Sequence, residues 1–239
     1  MKLDILAIGV HPDDIELCAS GTILACIDQG KKAGIVDLTQ GELGTRGTAE
    51  TRKAEAANAA KVMGLHIRET LDLQDGLFQI NEETLKKVMV IIRKYQPEIV
   101  LCNAVEDRHP DHGRAAELVS QACFLSGLIK IETEIDGAKQ QAWRPSQVFH
   151  YIQDRYIEPD FVFDVTKYHD KKIEAILCYK TQFNTVHDDE PQTYISTPEF
   201  LDTIVSRSIM MGKKIGARYG EGFTTEKKIG INDFDNIIK

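Results

Sequence analysis

Short apolar runs alternate with longer helical patterns through the first two-thirds of the 239-residue chain, and this alternation restricts the fold more than any other feature. Residues 3–10 (LDILAIGV) form the first apolar run, followed by a polar turn and a helical pattern over 15–29. Residues 34–39 (GIVDLT) read as a second strand. A polar, Gly-rich loop, QGELGTRGT, then leads into a helix over 49–63 that stops at Gly64, where a C-cap is expected. A third strand is expected at 69–73. Asn81 caps an amphipathic helix running to 95, Pro97 introduces a strand at 98–103, and a helix follows from about 111 to 125. Later, SQVFHYI and FVFDV read as strands, and 167–179 and 198–216 as helices. Repeated strand–helix–strand units imply an α/β fold, with a mostly parallel sheet, right-handed crossovers and helices on both faces. The length suits one core. With no linker, internal repeat or low-complexity tract, a single domain over residues 1–239 is expected.

Two motifs carry chemistry-bearing side chains: His11-Pro12-Asp13-Asp14 and His109-Pro110-Asp111-His112. Each directly follows an apolar run, LDILAIGV or the strand EIVLCN with its short extension. In an open parallel sheet, ligands bind in the crevice beyond the carboxyl ends of the strands, so the two loops can converge there. Either motif alone reads equally as turn chemistry, since Pro-Asp makes turns and Asp caps helices. Together they supply three histidines and three aspartates. Catalytic zinc sites use three protein ligands and leave one position open. His11, Asp14 and His112 fill that set, and Asp13 is then free to act as base on a metal-bound water. Two histidines and a carboxylate accept Zn, Fe(II), Co or Mn, with zinc the first expectation. His66, His150, His169 and His187 stand singly and read as core or surface residues.

The loop after the second strand opens at the same edge. Its Arg46, with Arg52 in the next helix, can grip a substrate carboxylate as a bidentate pair, although solvated charges on a flexible loop are an equal reading for Arg46. No GxGxxG follows the first strand, so dinucleotide binding is not indicated. A net charge of −8 argues against nucleic acid as a partner. No apolar stretch approaches the ~20 residues of a membrane span, and the N-terminal segment lacks a signal-peptide layout. Five scattered cysteines without a CxxC pair read as small buried hydrophobes, and a cytoplasmic setting is expected.

The HPDD and HPDH motifs, with Thr51-Arg52-Lys53-Ala54-Glu55, resemble the zinc-dependent N-acetylglucosamine deacetylases of the LmbE-like/PIG-L family. GELGTRGTAETRKAEA, EDRHPDH, YKTQF and YGEGF are most similar to its bacillithiol-biosynthesis branch, which deacetylates N-acetylglucosaminyl malate. The resemblance implies a Rossmann-like sheet with the active site at the C-terminal edge of its strands. It implies His11, Asp14 and His112 as zinc ligands, Asp13 as general base, and His109 as oxyanion stabiliser or acid, oriented by Asp111. Tyr194 and Arg144 would correspond to a loop tyrosine and arginine near the active site. Where a related branch carries a tyrosine two residues before the first His of HPDH, this chain has Asp107, followed by Arg108. Arg108 therefore joins Arg46, Arg52 and Tyr194 as a substrate-binding candidate for an acidic aglycone. A trimer-based homo-oligomer, up to a hexamer, is also implied. The alternative within the same chemistry is a deacetylase of another N-acetylglucosaminide, chitobiose-like or inositol-linked, and two other classes use the same ligands: a non-haem iron oxygenase with a facial triad, and a non-catalytic metal- or sugar-binding module. Neither gives Asp13 and His109 a task.

Overall fold

The computed structural model describes residues 1–183 and 190–232; His187 lies outside them. β1 (Ile5–Gly9), β2 (Ala33–Asp37), β3 (Ile67–Thr70), β4 (Ile99–Cys102) and β7 (Gln147–Tyr151) pair in parallel, and β8 (Phe161–Asp164) lies at the far edge. β9 (Gly220–Thr225) runs antiparallel between β7 and β8, giving the order β3-β2-β1-β4-β7-β9-β8. A two-stranded hairpin, β5 (Glu134–Ile135) with β6 (Ala138–Lys139), stands apart.

β1 shows why helices cover both faces. Ile5 and Ala7 point to one side, where α1 (Asp14–Cys18), α2 (Ser20–Asp28), α3 (Ala49–Met63) and α6 (His169–Ile176) supply Ile15, Ile23, Ala59 and Ile176. Leu6 and Ile8 point to the other, against Val88 and Ile92 of α4 (Glu82–Tyr95) and Leu118 and Val119 of α5 (Pro110–Leu125). A strand buried on both faces must be apolar throughout, hence the uninterrupted run in the sequence. α7 (Pro198–Lys214) packs against β9 and β8.

Most expected elements are present with strands trimmed at their ends. α3 has the expected limits, with Thr48 in a capping box and Gly64 left-handed at φ 69°. Four local readings are corrected. The pattern at 15–29 is two helices, because α2 begins anew at Ser20: the Glu221 carboxylate accepts from the amides of Gly21 (3.0 Å) and Thr22 (2.8 Å). β3 starts two residues before the expected 69–73 and ends three before it, set by its pairing of Ile67 with Gly34. The 167–179 helix opens as a 3-10 turn, Thr166–Tyr168, and α6 ends at Ile176. β9 is an addition to the expected strands. Its Gly220 lets the strand approach α7, where an added Cβ would meet the Gly212 backbone at 2.8 Å.

Candidate metal and substrate site

The chain leaves β1 toward β2 on one side and later returns as β4 on the other, and at such a reversal the loops diverge to open a crevice. The residues after β1, β2, β3, β4 and β7, with the segment leading into α7, line a cavity of about 420 Å³ there. His11, Asp13, Asp14, His109 and His112 all face it.

The three histidine rings cluster, with centroids 4.8 Å (His11–His109), 5.1 Å (His109–His112) and 5.7 Å (His11–His112) apart. Asp14 sits between two of them: His11 Nδ1 lies 3.7 Å from its Oδ2, and His112 Nε2 lies 3.1 Å from its Oδ1. The other nitrogen of each ring faces a second carboxylate. His11 Nε2 is 3.0 Å from Asp75, and His112 Nδ1 is 2.5 Å from Asp107. Outer carboxylates that fix imidazole orientation in this way are characteristic of metal sites. The donor set of two imidazoles and one carboxylate suits a divalent transition metal, and five aspartates (Asp13, Asp14, Asp75, Asp107, Asp111) surround the place a cation would neutralise. Among the described residues, two sets bring ligand atoms within 4.8 Å of one another, His11 with His109 and His112, and His11 with Asp75 and Asp111, and His11 is common to both.

Asp13 and Asp14 are adjacent, buried and differently held. Burial pushes the Asp13 carboxyl up to about 7, against the pull of Arg52 and with help from the Asp14 charge. Burial also opposes ionisation of Asp14, but the His112 charge and hydrogen bond outweigh it and hold this carboxyl well below the usual range. Asp13 adopts φ 129°, a region that costs a non-glycine residue on the order of 1–3 kcal/mol. Arg52 stabilises that turn by donating to the Pro12 carbonyl and, at 2.9 Å, to Asp13 Oδ2. Gly41 and Gly44 pack directly on the same guanidinium.

His109 caps α5, and its Nδ1 accepts from the Asp111 amide at 3.3 Å. An accepting Nδ1 leaves the proton of the neutral ring on Nε2. Burial, then the neighbouring His11 and His112 charges, lower the His109 pKa and favour that neutral form. Asp111 meets His109 through its backbone amide, while its carboxylate takes the Gly76 amide (2.7 Å) and Arg114 (2.6 Å).

The arginines separate by environment. Arg46, expected to bind substrate, is 2% exposed, donates to the carbonyls of Thr181, Glu190 and Pro191, and is not among the cavity-lining residues. Arg52 lines the cavity but is bound to Pro12 and Asp13. Arg108 and Tyr194 meet at the mouth, the guanidinium 4.2 Å above the ring, and both bond Asp154, at 3.2 Å and 2.9 Å. Arg144 is far from this position, stacked on Phe124. Asp75, Asn103, Gln153 and Arg207 contribute to the site without having been singled out, since no motif marks them.

Comparison with known proteins gives relatives of more than one activity: 4-oxalmesaconate hydratase of Pseudomonas putida is 28% identical over 192 residues, 74% of this chain and 73% of that protein. Residues 6–123 match the PIG-L family, described as GlcNAc-PI de-N-acetylase. Diacetylchitobiose deacetylase of Thermococcus kodakarensis is 28% identical over 230 residues, 91% of this chain and 81% of that protein. A probable N-acetyl-α-D-glucosaminyl L-malate deacetylase of Bacillus cereus is 25% identical over 202 residues, 79% and 88% of the two chains. The crystal structure of a conserved protein from Thermus thermophilus superposes with TM-score 0.85 at 30% identity, covering 96% of this chain and 97% of that one. Among the described residues no helix is long and apolar enough to cross a membrane.

Proposed function

The chain belongs to the PIG-L family, and on that premise we propose that it hydrolyses the N-acetyl group of an N-acetylglucosamine conjugate with a bound divalent metal, zinc first. The observation that carries this reading is the convergence of two imidazoles and a carboxylate beside a second, differently held carboxylate in one cavity.

His11, Asp14 and His112 hold the metal, which when bound supplies Lewis acidity to a water and to the acetyl carbonyl. Asp13 takes the proton of the attacking water as the new C–O bond forms. His109 presents Nε2–H to the developing oxyanion, a contribution worth ~3–4 kcal/mol for a well-placed donor. With Nδ1 engaged by the Asp111 amide, loss of the Nε2 proton would leave an imidazolate, so Asp13 returns its proton to the nitrogen as the C–N bond breaks. Acetate and a free glucosamine amine result.

For the substrate we propose N-acetylglucosaminyl malate, as in bacillithiol biosynthesis, with Arg108 and Tyr194 at the mouth meeting the acidic aglycone. A cytoplasmic homo-oligomer completes this reading. The test is mass spectrometry of metal-loaded protein incubated, without oxygen, with N-acetylglucosaminyl malate, diacetylchitobiose and an inositol-linked N-acetylglucosaminide. Loss of one acetyl group with release of acetate is expected. No acetate from any of them, or turnover only with oxygen, overturns the proposal.

A further inference from the structure

Behind the Asp14 carboxylate lies a closed set of buried amides. Oδ2 accepts from the Val10 amide (3.1 Å), the His11 amide (3.0 Å) and Asn103 Nδ2 (3.0 Å). Oδ1, the oxygen facing His112, accepts from Gln153 Nε2 at 3.1 Å. The two amide side chains also bind each other, Asn103 Nδ2 donating to Gln153 Oε1 at 3.0 Å. The remaining acceptor positions are filled by backbone: Val10 N donates to Asn103 Oδ1, and Ala104 N donates to Gln153 Oε1. Asp14, Asn103 and Gln153 are 3%, 0% and 3% exposed. The bonds made by Asn103 and Gln153 fix which atom of each amide is oxygen and which is nitrogen, so neither side chain can flip without breaking several.

The set is fastened from a third element. Arg207 of α7 donates through Nη1 to the Gln153 carbonyl and through Nη2 to the Leu17 carbonyl at 3.0 Å. Leu17 is on α1, the five-residue helix that begins with Asp14, and Gln153 follows β7. One guanidinium therefore joins the segment bearing the carboxylate to the segment bearing its amide partner. Such a short helix has little rigidity of its own, so its position depends on bonds of this kind.

We propose that Asn103 and Gln153, tied to α1 by Arg207, are positioning residues that fix the Asp14 carboxylate, and that metal affinity depends on them. The inference rests on Asp14 being a metal ligand. Outer partners of this sort alter metal affinity by roughly 10–100-fold. They act by holding a charged oxygen in place before the metal arrives, so the ordering entropy is already met at binding.

The experiment measures zinc affinity of metal-free protein by competition with a chromophoric chelator, and the visible absorption spectrum of the cobalt(II)-loaded forms. Gln153→Met keeps chain length and removes the donor; Asn103→Asp keeps the oxygen that receives the Val10 amide and removes the donor to Asp14. Gln153→Met is expected to bind zinc ~10–100-fold more weakly and to shift the cobalt spectrum; it also takes the acceptor from the Ala104 amide and Asn103 Nδ2, so the metal-free melting temperature falls as well and affinity is compared at a temperature where both forms are folded. Asn103→Asp is expected to weaken binding in the same range, which keeps the inference testable if one variant folds poorly. Asp14→Ala serves as the reference. If it retains wild-type zinc affinity, the ligand assignment fails. If it loses zinc while Gln153→Met keeps wild-type affinity and an unaltered cobalt spectrum, the ligand stands and the positioning role is overturned.

Discussion

Asp13 and Asp14 sit side by side on one turn, and their surroundings drive their protonation in opposite directions, the arrangement from which acid–base roles are read. Asp14 is ringed by N–H donors and keeps its charge; Asp13 is buried with Arg52 as its hydrogen-bond partner and ionises near neutrality. Asp13→Asn is therefore expected to retain metal while kcat/KM falls ~10²–10⁴-fold, because an amide cannot take the water's proton. Elemental analysis and acetate release measure the two quantities together; full activity in the metal-loaded variant would remove Asp13 from the mechanism. The sign of the pH dependence follows. A base must be deprotonated, so kcat/KM declines as pH falls through the Asp13 pKa, and a bound cation moves that limb to lower pH. Arg52 favours the charged form, so Arg52→Met is expected to move the acidic limb to higher pH. A limb that stays put while KM alone rises would make Arg52 a substrate contact instead. The motif residues could be read from the chain because each pair follows an apolar strand run. Asp75 pairs with His11 across 64 positions of sequence and Arg207 reaches Leu17 across 190; no local pattern records such partnerships.

Among the elements, α3 and α4 were legible to the residue because their signals are local: a capping box at one end and a left-handed residue at the other. The break between α1 and α2 was not, since its cause is Glu221, which lies about 200 positions away. This carboxylate caps α2 and pairs with Lys172 at 2.6 Å, both groups almost fully buried. Removing one member of such a pair leaves an uncompensated buried charge and costs ~3–5 kcal/mol. At ~2–4 °C per kcal/mol for a domain of this size, Glu221→Gln should lower the melting temperature by on the order of 10 °C. Calorimetry checks this, and Glu221→Gln combined with Lys172→Met should recover part of the loss. A Glu221→Gln variant that melts like wild type would show that the amides of Gly21 and Thr22, rather than the charge pair, account for its contribution.

At the scale of the molecule, a chain of net charge −8 with six aspartates in or beside its cavity (Asp154 at the mouth with Asp13, Asp14, Asp75, Asp107 and Asp111) repels an acidic substrate unless a local cation answers it. The lining arginines are Arg52, Arg108 and Arg207. Arg52 and Arg207 donate to backbone carbonyls in buried or half-buried positions, whereas the Arg108 side chain is 45% exposed at the mouth, with Asp154 and Tyr194 holding it over the opening. An aglycone carboxylate can exchange with the Asp154 oxygen at little cost, because both accept the same planar donors. A charged hydrogen bond contributes ~1.5–3 kcal/mol, and solvent at this exposed position reduces it toward the lower figure, about tenfold in preference. N-acetylglucosaminyl malate and diacetylchitobiose competing in one tube measure that preference directly. Wild type is expected to favour the malate conjugate, and Arg108→Gln to lower the ratio about tenfold, with kcat/KM for the malate conjugate falling far more than for the neutral sugar. Equal use of the two substrates by wild type removes the malate reading and leaves the deacetylase chemistry intact. A preference that survives Arg108→Gln unchanged keeps the substrate and transfers its recognition to another residue, with Arg207, which also lines the cavity, the next to substitute.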